Sequence, residues 1–398
     1  DLQRVVGEVD YLARHRMEEI FIADANFGML EQDIAIAEAL VAARARYGYP
    51  KRLYSNFAKN GGRRLMQVIA ILNRGGLLPT GIVALQTTDP DTLKTIHRDN
   101  IRTTAYEKMM EFFNAEGIPM ASDLMIGLPG QTVASFHEDL QFCFDWKISA
   151  NGNYTSMMPN APMAEPAYLA EHAIETDEHS MIASTATFSA DELLYMRRLY
   201  LAYQLLVRMA LLKYVLYCLQ IDHGVPAISF IARWLALAMD GSETYPLCAR
   251  VYSDMLEPAS RNGHWPHVTW DEGGEFLFGH LDAFYVEIDA MARAEFGISL
   301  SDPERRALFA AQAAVMPSTA ARYPLTVALP LDVTTYFRQL RPLASLRRDT
   351  TGIRALAEFP AGELVVGDAS TRVESIALQT MLGHSDLGWE LPSALRFY

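Results

Sequence analysis

The sequence predicts an α/β fold in three parts: a parallel sheet wrapped by helices over residues 1–165, a helical region over 166–318, and a small α/β appendage over 319–398. Three observations carry this reading. Strand-like and helix-like segments alternate from residue 18 to about 158, which is the signature of a parallel sheet covered by helices. Pro159, Pro162 and Pro166 then break that alternation. Beyond them, Ser189-Ala-Asp-Glu192 reads as a capping box opening a long apolar helix, and short β-type runs return only near residues 325–329 and 363–366.

Each element follows from its pattern. Leu2, Val5, Val6, Val9 and Leu12 fall at helical spacing, so the chain opens on a helix. A helix in that position calls for a preceding strand, and the expectation is that the parent chain continues upstream. Glu19–Ala25, Arg52–Phe57, Gly81–Gln86, Ile118–Ile126 and Asn153–Met158 read as strands. Gln32–Tyr47, Arg63–Arg74, Asp91–Ile96, Thr104–Glu116 and Val133–Trp146 read as the intervening helices. A helix of about thirty residues is expected from Ser189, with further helices at 226–239, 244–256, 275–296 and 303–314. In such folds polar residues at the C-terminal ends of strands line the site. Here those ends carry Asp24 and Asn26, Ser55 and Asn56, Gln86, Asp123 and Asn160.

Composition narrows the function. Half of the 398 residues are hydrophobic, enough for two or three domains with cores. The net charge of −14 repels phosphate backbones, and no basic run offsets it, so nucleic acid is not an expected partner. The greasiest stretch, Leu199–Ile221, contains Arg208 and Lys213 and reads as a buried helix, not a membrane span. Cys143, Cys218 and Cys248 are far apart and odd in number, which argues against disulfides and for a reducing, cytoplasmic setting. No metal site is expected: His264 and His267 are close in sequence, but Pro266 opposes a helix there and no third ligand is evident.

The informative block runs from Gly81 to Thr132. It contains GIVALQTTDPDTLKTIHRDN and then SDLMIGLPGQT. Arg98 follows Gln86 by twelve residues and Asp123 follows Arg98 by twenty-five. This wording resembles the radical S-adenosylmethionine superfamily, and IADANFGM at 22–29 with MPNAPMAEPAY at 158–168 resembles its cobalamin-binding branch. The resemblance covers roughly residues 1–200. It implies a partial (β/α)6-type barrel, with the helical region covering its mouth. It implies that Gln86, Arg98, Asp123, Gly127 and Gly130 hold S-adenosylmethionine. It implies cofactor binding also at Asp24, Asn26 and Gly28 and at Ser55 and Asn56.

Chemistry suits this carry-over. Gln86 can both donate and accept, Arg98 can fork onto a carboxylate, and Asp123 can accept from ribose hydroxyls or an ammonium. Glycine at 127 and 130 lets backbone approach a flat ligand. Singly, each has a plainer reading: Arg98 a surface ion pair, Asp123 a loop cap, Gly127 and Gly130 a turn. No residue is singled out as catalytic, because the implied chemistry is the cofactor's.

The resemblance further implies a 4Fe–4S cluster, cobalamin through an upstream domain, a reductant such as flavodoxin or ferredoxin, and a small-molecule or peptide substrate to be methylated. The cluster's C-x3-C-x2-C motif is absent, and the three cysteines present cannot replace it. Two alternatives stand beside methyl transfer: a non-methylating radical oxidation or rearrangement, and a cluster-free barrel acting as a binding or scaffold protein.

Overall fold

A computed structural model describes residues 1–58, 62–77, 81–82, 85–98, 103–116, 120–262, 275–316, 325–340, 342–347 and 350–366. Five parallel strands, β1 (Glu19–Phe27), β2 (Arg52–Phe57), β3 (Gly81–Ile82), β4 (Met120–Ile126) and β5 (Ile148–Tyr154), form one sheet in sequential order. Sequential order is the singly wound pattern, in which crossovers of one hand stack the helices on one face. The helices α1 (Leu2–Arg14), α2 (Gln32–Tyr47), α3 (Gly62–Arg74) and α5 (Thr103–Glu116) pack on one another in that order. α6 (Val133–Asp145) follows against β4 and β5. Between β3 and α5 lies the short helix α4 (Pro90–Thr95).

The strand bounds differ from the sequence reading most at β5. β5 spans Ile148–Tyr154 rather than Asn153–Met158. Its Asn151, Gly152 and Asn153 look like turn residues, but the strand is set by seven consecutive pairings with β4, from Met120↔Ile148 to Ile126↔Tyr154. Asp123 consequently lies in mid-strand, not at a strand end. Of the expected barrel, five strands are present, and among the described residues no sixth strand pairs with either edge.

The long helix expected from Ser189 is broken. α8 (Ala190–Tyr203) begins with the expected capping box, Ser189 Oγ accepting from Glu192 N and Glu192 answering at Ser189 N. A π turn at Gln204–Arg208 ends it, and α9 (Lys213–His223) leaves at 92°. Gln312 makes this break affordable. Fully buried on a later helix, it accepts from Tyr214 N at 3.0 Å and donates to Ala210 O at 2.5 Å, two groups that a continuous helix would have satisfied itself.

The connection from β5 to α8 carries α7 (Pro166–Glu171) and a small hairpin, β6 (Glu175–Thr176) with β7 (Ile182–Ser184). After α9 come α10 (Ala227–Met239), α11 (Pro246–Val251), α12 (Glu257–Asn262), α13 (Glu275–Gly279), α14 (Leu281–Phe296) and α15 (Asp302–Ala314). The predicted 244–256 helix is α11 continued by a second π turn, and the predicted 275–296 helix is α13 and α14. Strands β8 (Leu325–Leu329) and β9 (Gly362–Val366) pair antiparallel around α16 (Val333–Leu340). The described appendage is tied to the rest by polar bonds: Tyr336 OH donates to Asp222 Oδ1, and Leu356 N to Asp222 Oδ2. Lys147 Nζ and Asn114 Nδ2 also reach the carbonyls of Leu343 and Ala344. His264 and His267 lie outside the described residues. No single helix among those described is long and apolar enough to cross a membrane.

Candidate functional site

The site is built around the end of β3 and the middle of β4. Past Ile82 the chain meets β4 again at Gln86, whose N–H donates to Asp123 O at 2.9 Å and whose carbonyl accepts from Met125 N at 2.8 Å. Gln86 holds a left-handed backbone, φ 64°, a conformation costly for a residue with a Cβ and enriched at functional sites. Strand pairing puts Asn151 beside Asp123, and Asn151 Nδ2 donates to Asp123 Oδ1 at 3.3 Å. The Asn151 Oδ1 atom is buried without a hydrogen-bond partner. Gln86, Asp123 and Asn151 are all half-buried, on strands whose other face is occupied by buried Ser122, Leu124 and Ala150.

The turn after β4 is closed by its own sequence. Gln131, fully buried, accepts from Gly127 N at 2.8 Å and donates to Met125 O at 3.1 Å. Gly127 and Gly130 both hold φ +90°. A Cβ at Gly130 would sit 2.8 Å from Thr95 Oγ1, and one at Gly127 3.1 Å from Leu193 Cδ1. These glycines let α4 and α8 approach the turn. Their smallness is used by protein neighbours.

Arg98 lies just past α4, half-buried, and its backbone N–H closes the helix on Leu93 O. Among the described residues its guanidinium has no hydrogen-bonded partner, and nothing joins it to Gln86 or Asp123. Beside it, Tyr168 OH of α7 donates to Thr95 O. The structure thus brings Gln86 and Asp123 together through the backbone and places Arg98 on the neighbouring helix end.

The remaining sequence candidates fall elsewhere on the sheet. Asp24 Oδ1 accepts from Asn26 N within an irregular stretch of β1. Gly28, φ +94°, is buried in the β1–α2 turn, where its N–H and that of Leu30 donate to the buried Asp33 carboxylate. Asn56 pairs with Ile82 by its backbone. Ser55 is fully buried and its hydroxyl has no partner among the described residues.

Sequence reasoning missed two groups. One is Asp139 of α6, fully buried, which accepts from Thr87 Oγ1 (2.8 Å), Thr88 N (2.6 Å) and Thr88 Oγ1 (2.7 Å). Burial pushes its carboxyl up to about 6 against the pull of those hydrogen bonds. A signal existed, since Asp139 shares a helix face with apolar Phe136, Leu140 and Cys143. The other is the pair Tyr200 and Gln204, which take the outward groups of edge strand β5. Gly152 N donates to Tyr200 OH at 2.6 Å, and Gln204 Nε2 donates to Ala150 O at 2.9 Å and to Tyr200 OH. Burial raises the Tyr200 phenol, opposed by the Gly152 amide and Arg208, while the nearby Asp123 charge adds to the rise.

The three cysteines are buried on α6, α9 and α11, with every thiol raised by burial, so they offer no thiolate cluster. No group of three His, Cys, Asp or Glu among the described residues could hold a metal. A cavity of about 460 Å³ opens beside the β6–β7 hairpin, lined by Glu175, Ser184, Phe188 and Glu192 among others. None of Gln86, Arg98 or Asp123 lines it, so its size does not make it the site.

No protein-family model matches the chain. It is 33% identical over 181 residues to the cobalamin-dependent radical SAM methyltransferase TokK of Streptomyces tokunonensis, covering 44% of this chain and 26% of TokK. It is also 33% identical over 183 residues to the 2-(S-pantetheinyl)-carbapenam-3-carboxylate methyltransferase of Streptantibioticus cattleyicolor, again 44% and 26%. The chain thus spans about a quarter of the length of the curated relatives it matches. The solved cobalamin-dependent S-adenosylmethionine radical enzyme OxsB, with aqua-cobalamin bound, aligns with 79% of this chain and 54% of its own at 11% identity and TM-score 0.40, too distant for argument. The branch that the motifs resemble is the branch of these relatives: over part of its length, this chain is related to the cobalamin-dependent radical S-adenosylmethionine methyltransferases.

Proposed function

We propose that the chain supplies the S-adenosylmethionine seat of a cobalamin-dependent radical methyltransferase acting on a small-molecule or peptide substrate. The observation that carries this reading is the Gln86–Asp123 junction: two half-buried polar residues locked together by backbone bonds, with the buried, unpartnered Asn151 Oδ1 beside them. That set fits a nucleoside. Asp123 accepts from ribose hydroxyls or the ammonium, Gln86 donates and accepts, and the Gly127–Gly130 backbone borders the base. Arg98, on the adjoining helix end, is the cation for the carboxylate.

The fit does not extend to iron. The chain's cysteines are separate, buried and neutral, so no step is assigned to them. A cluster held by other residues and fed by a small electron carrier would supply the electron for reductive cleavage of S-adenosylmethionine, and cobalamin would carry the methyl group. The residues here bind, orient and shield. A partial (β/α)6-type barrel closed around this seat is the matching architecture.

Calorimetry with S-adenosylhomocysteine tests the seat. Asp123→Ala and Gln86→Ala should each weaken binding about 5- to 150-fold, the equivalent of losing one buried polar contact. Unchanged affinity in both variants, with the fold intact by circular dichroism, would remove the seat from these residues.

A further inference from the structure

We infer that Asp139 is the positioning residue that sets the Gln86-to-Arg98 segment against the sheet. The inference rests on the reading that this segment seats S-adenosylmethionine. Gln86 is pinned forward to β4 by its own backbone bonds. The next two residues are pinned backward: Thr87 and Thr88 give three hydrogen bonds to the one Asp139 carboxylate on α6. Asp89 then joins this arrangement. Its N–H donates to Thr87 Oγ1 at 3.1 Å, and its carboxylate accepts from Thr92 N at 2.9 Å to cap α4. At the far end of α4, Thr95 packs on Gly130 and Arg98 follows. One carboxylate therefore governs both where Gln86 leaves the sheet and where α4 begins.

The same geometry separates this from ordinary core packing. Asp139 is fully buried, and among the described residues no cation pairs with it. A buried carboxylate without a cation weakens a fold unless its lone pairs are used. Here they are used by consecutive residues of one loop, and the Asp89 charge acts on it as a like charge. The carboxylate thus directs its hydrogen bonds to the ordering of a single segment.

The test compares Asp139→Ala with Asp139→Asn, which can keep the Thr88 N–H bond and donate to a rotated Thr87 hydroxyl. Hydrogen–deuterium exchange is followed across the purified protein, and S-adenosylhomocysteine affinity is measured in parallel. In Asp139→Ala, amides within 86–98 should exchange at least ten times faster while those of α9, α10 and α15 hold their rates. Affinity should fall at least tenfold, and Asp139→Asn should recover most of both. Faster exchange spread evenly over the chain, or unchanged exchange within 86–98, would overturn the positioning role. So would a full loss in Asp139→Asn equal to that in Asp139→Ala. If the unmodified protein fails to bind the probe, the cofactor reading falls, and the exchange pattern alone still decides whether Asp139 positions the segment.

Discussion

Burial holds the Asp139 carboxyl at about 6, above its ordinary 3.8, and this fixes the sign of its effect on stability. The folded state binds this proton more tightly than the unfolded chain. The stabilisation from protonation is complete below about pH 3.8 and is lost as pH rises through about 6, a difference of about 3 kcal/mol at most. Asp145 and Asp222 are also raised, so wild type alone would not isolate the effect. The difference between wild type and Asp139→Asn in urea should: the variant's relative advantage should grow between pH 4 and pH 6.5. A pH-independent difference would mean that the buried carboxylate is already neutral or already compensated. Legibility at this scale was uneven. Gln86 and Asp123 each belong to a motif that is local in sequence, whereas the partners of Asp139 become visible only when α6 folds back over the loop after β3. The glycines were read as ligand-facing, and Gly28, Gly127 and Gly130 each also answer to a turn or a neighbouring side chain. Sequence shows that a residue must be small, not which neighbour requires it.

Among the elements, α8 has the least expected role. Its sequence predicted an apolar helix, which it is, but not that Tyr200 and Gln204 would satisfy the free edge of β5. Ala150 and Gly152 point the same way along that edge, where a sixth strand would hydrogen-bond. Gly152 permits the contact, because a Cβ there would lie 2.6–2.8 Å from the Tyr200 ring carbons. Gly152→Ala should therefore destabilise the protein by about 1–3 kcal/mol through overpacking. Tyr200→Phe, which orphans the Gly152 N–H, should cost about 1–2 kcal/mol. The two changes act at one contact, so the double variant should lose clearly less than the sum in a denaturant-melting cycle. Full additivity would show that α8 does not seal this edge. The helix Gln32–Tyr47 was legible because its alanine-rich composition is local. β5 and the α8–α9 break were not, because strand pairing with β4 and the reach of Gln312 are tertiary.

At the scale of the whole molecule, the helices after Ser189 and the β8–β9 unit share one continuous core with the sheet. Phe188 and Leu193 lie beside Gly127 at the C-terminal end of β4, so this region borders the seat as well as the β5 edge. The alternation of strands and helices was legible as far as α6, while β5 begins five residues earlier than read and Asp123 falls in mid-strand. The proposed seat sets the nucleoside of S-adenosylmethionine over the β3–β4 junction. Photolabelling with 8-azido-S-adenosylmethionine, followed by peptide mapping, tests it most directly. Label should concentrate within residues 85–98 and 123–131 and be competed away by S-adenosylhomocysteine. Competable label confined to the Glu175–Glu192 cavity or to the helices beyond residue 213 would contradict it.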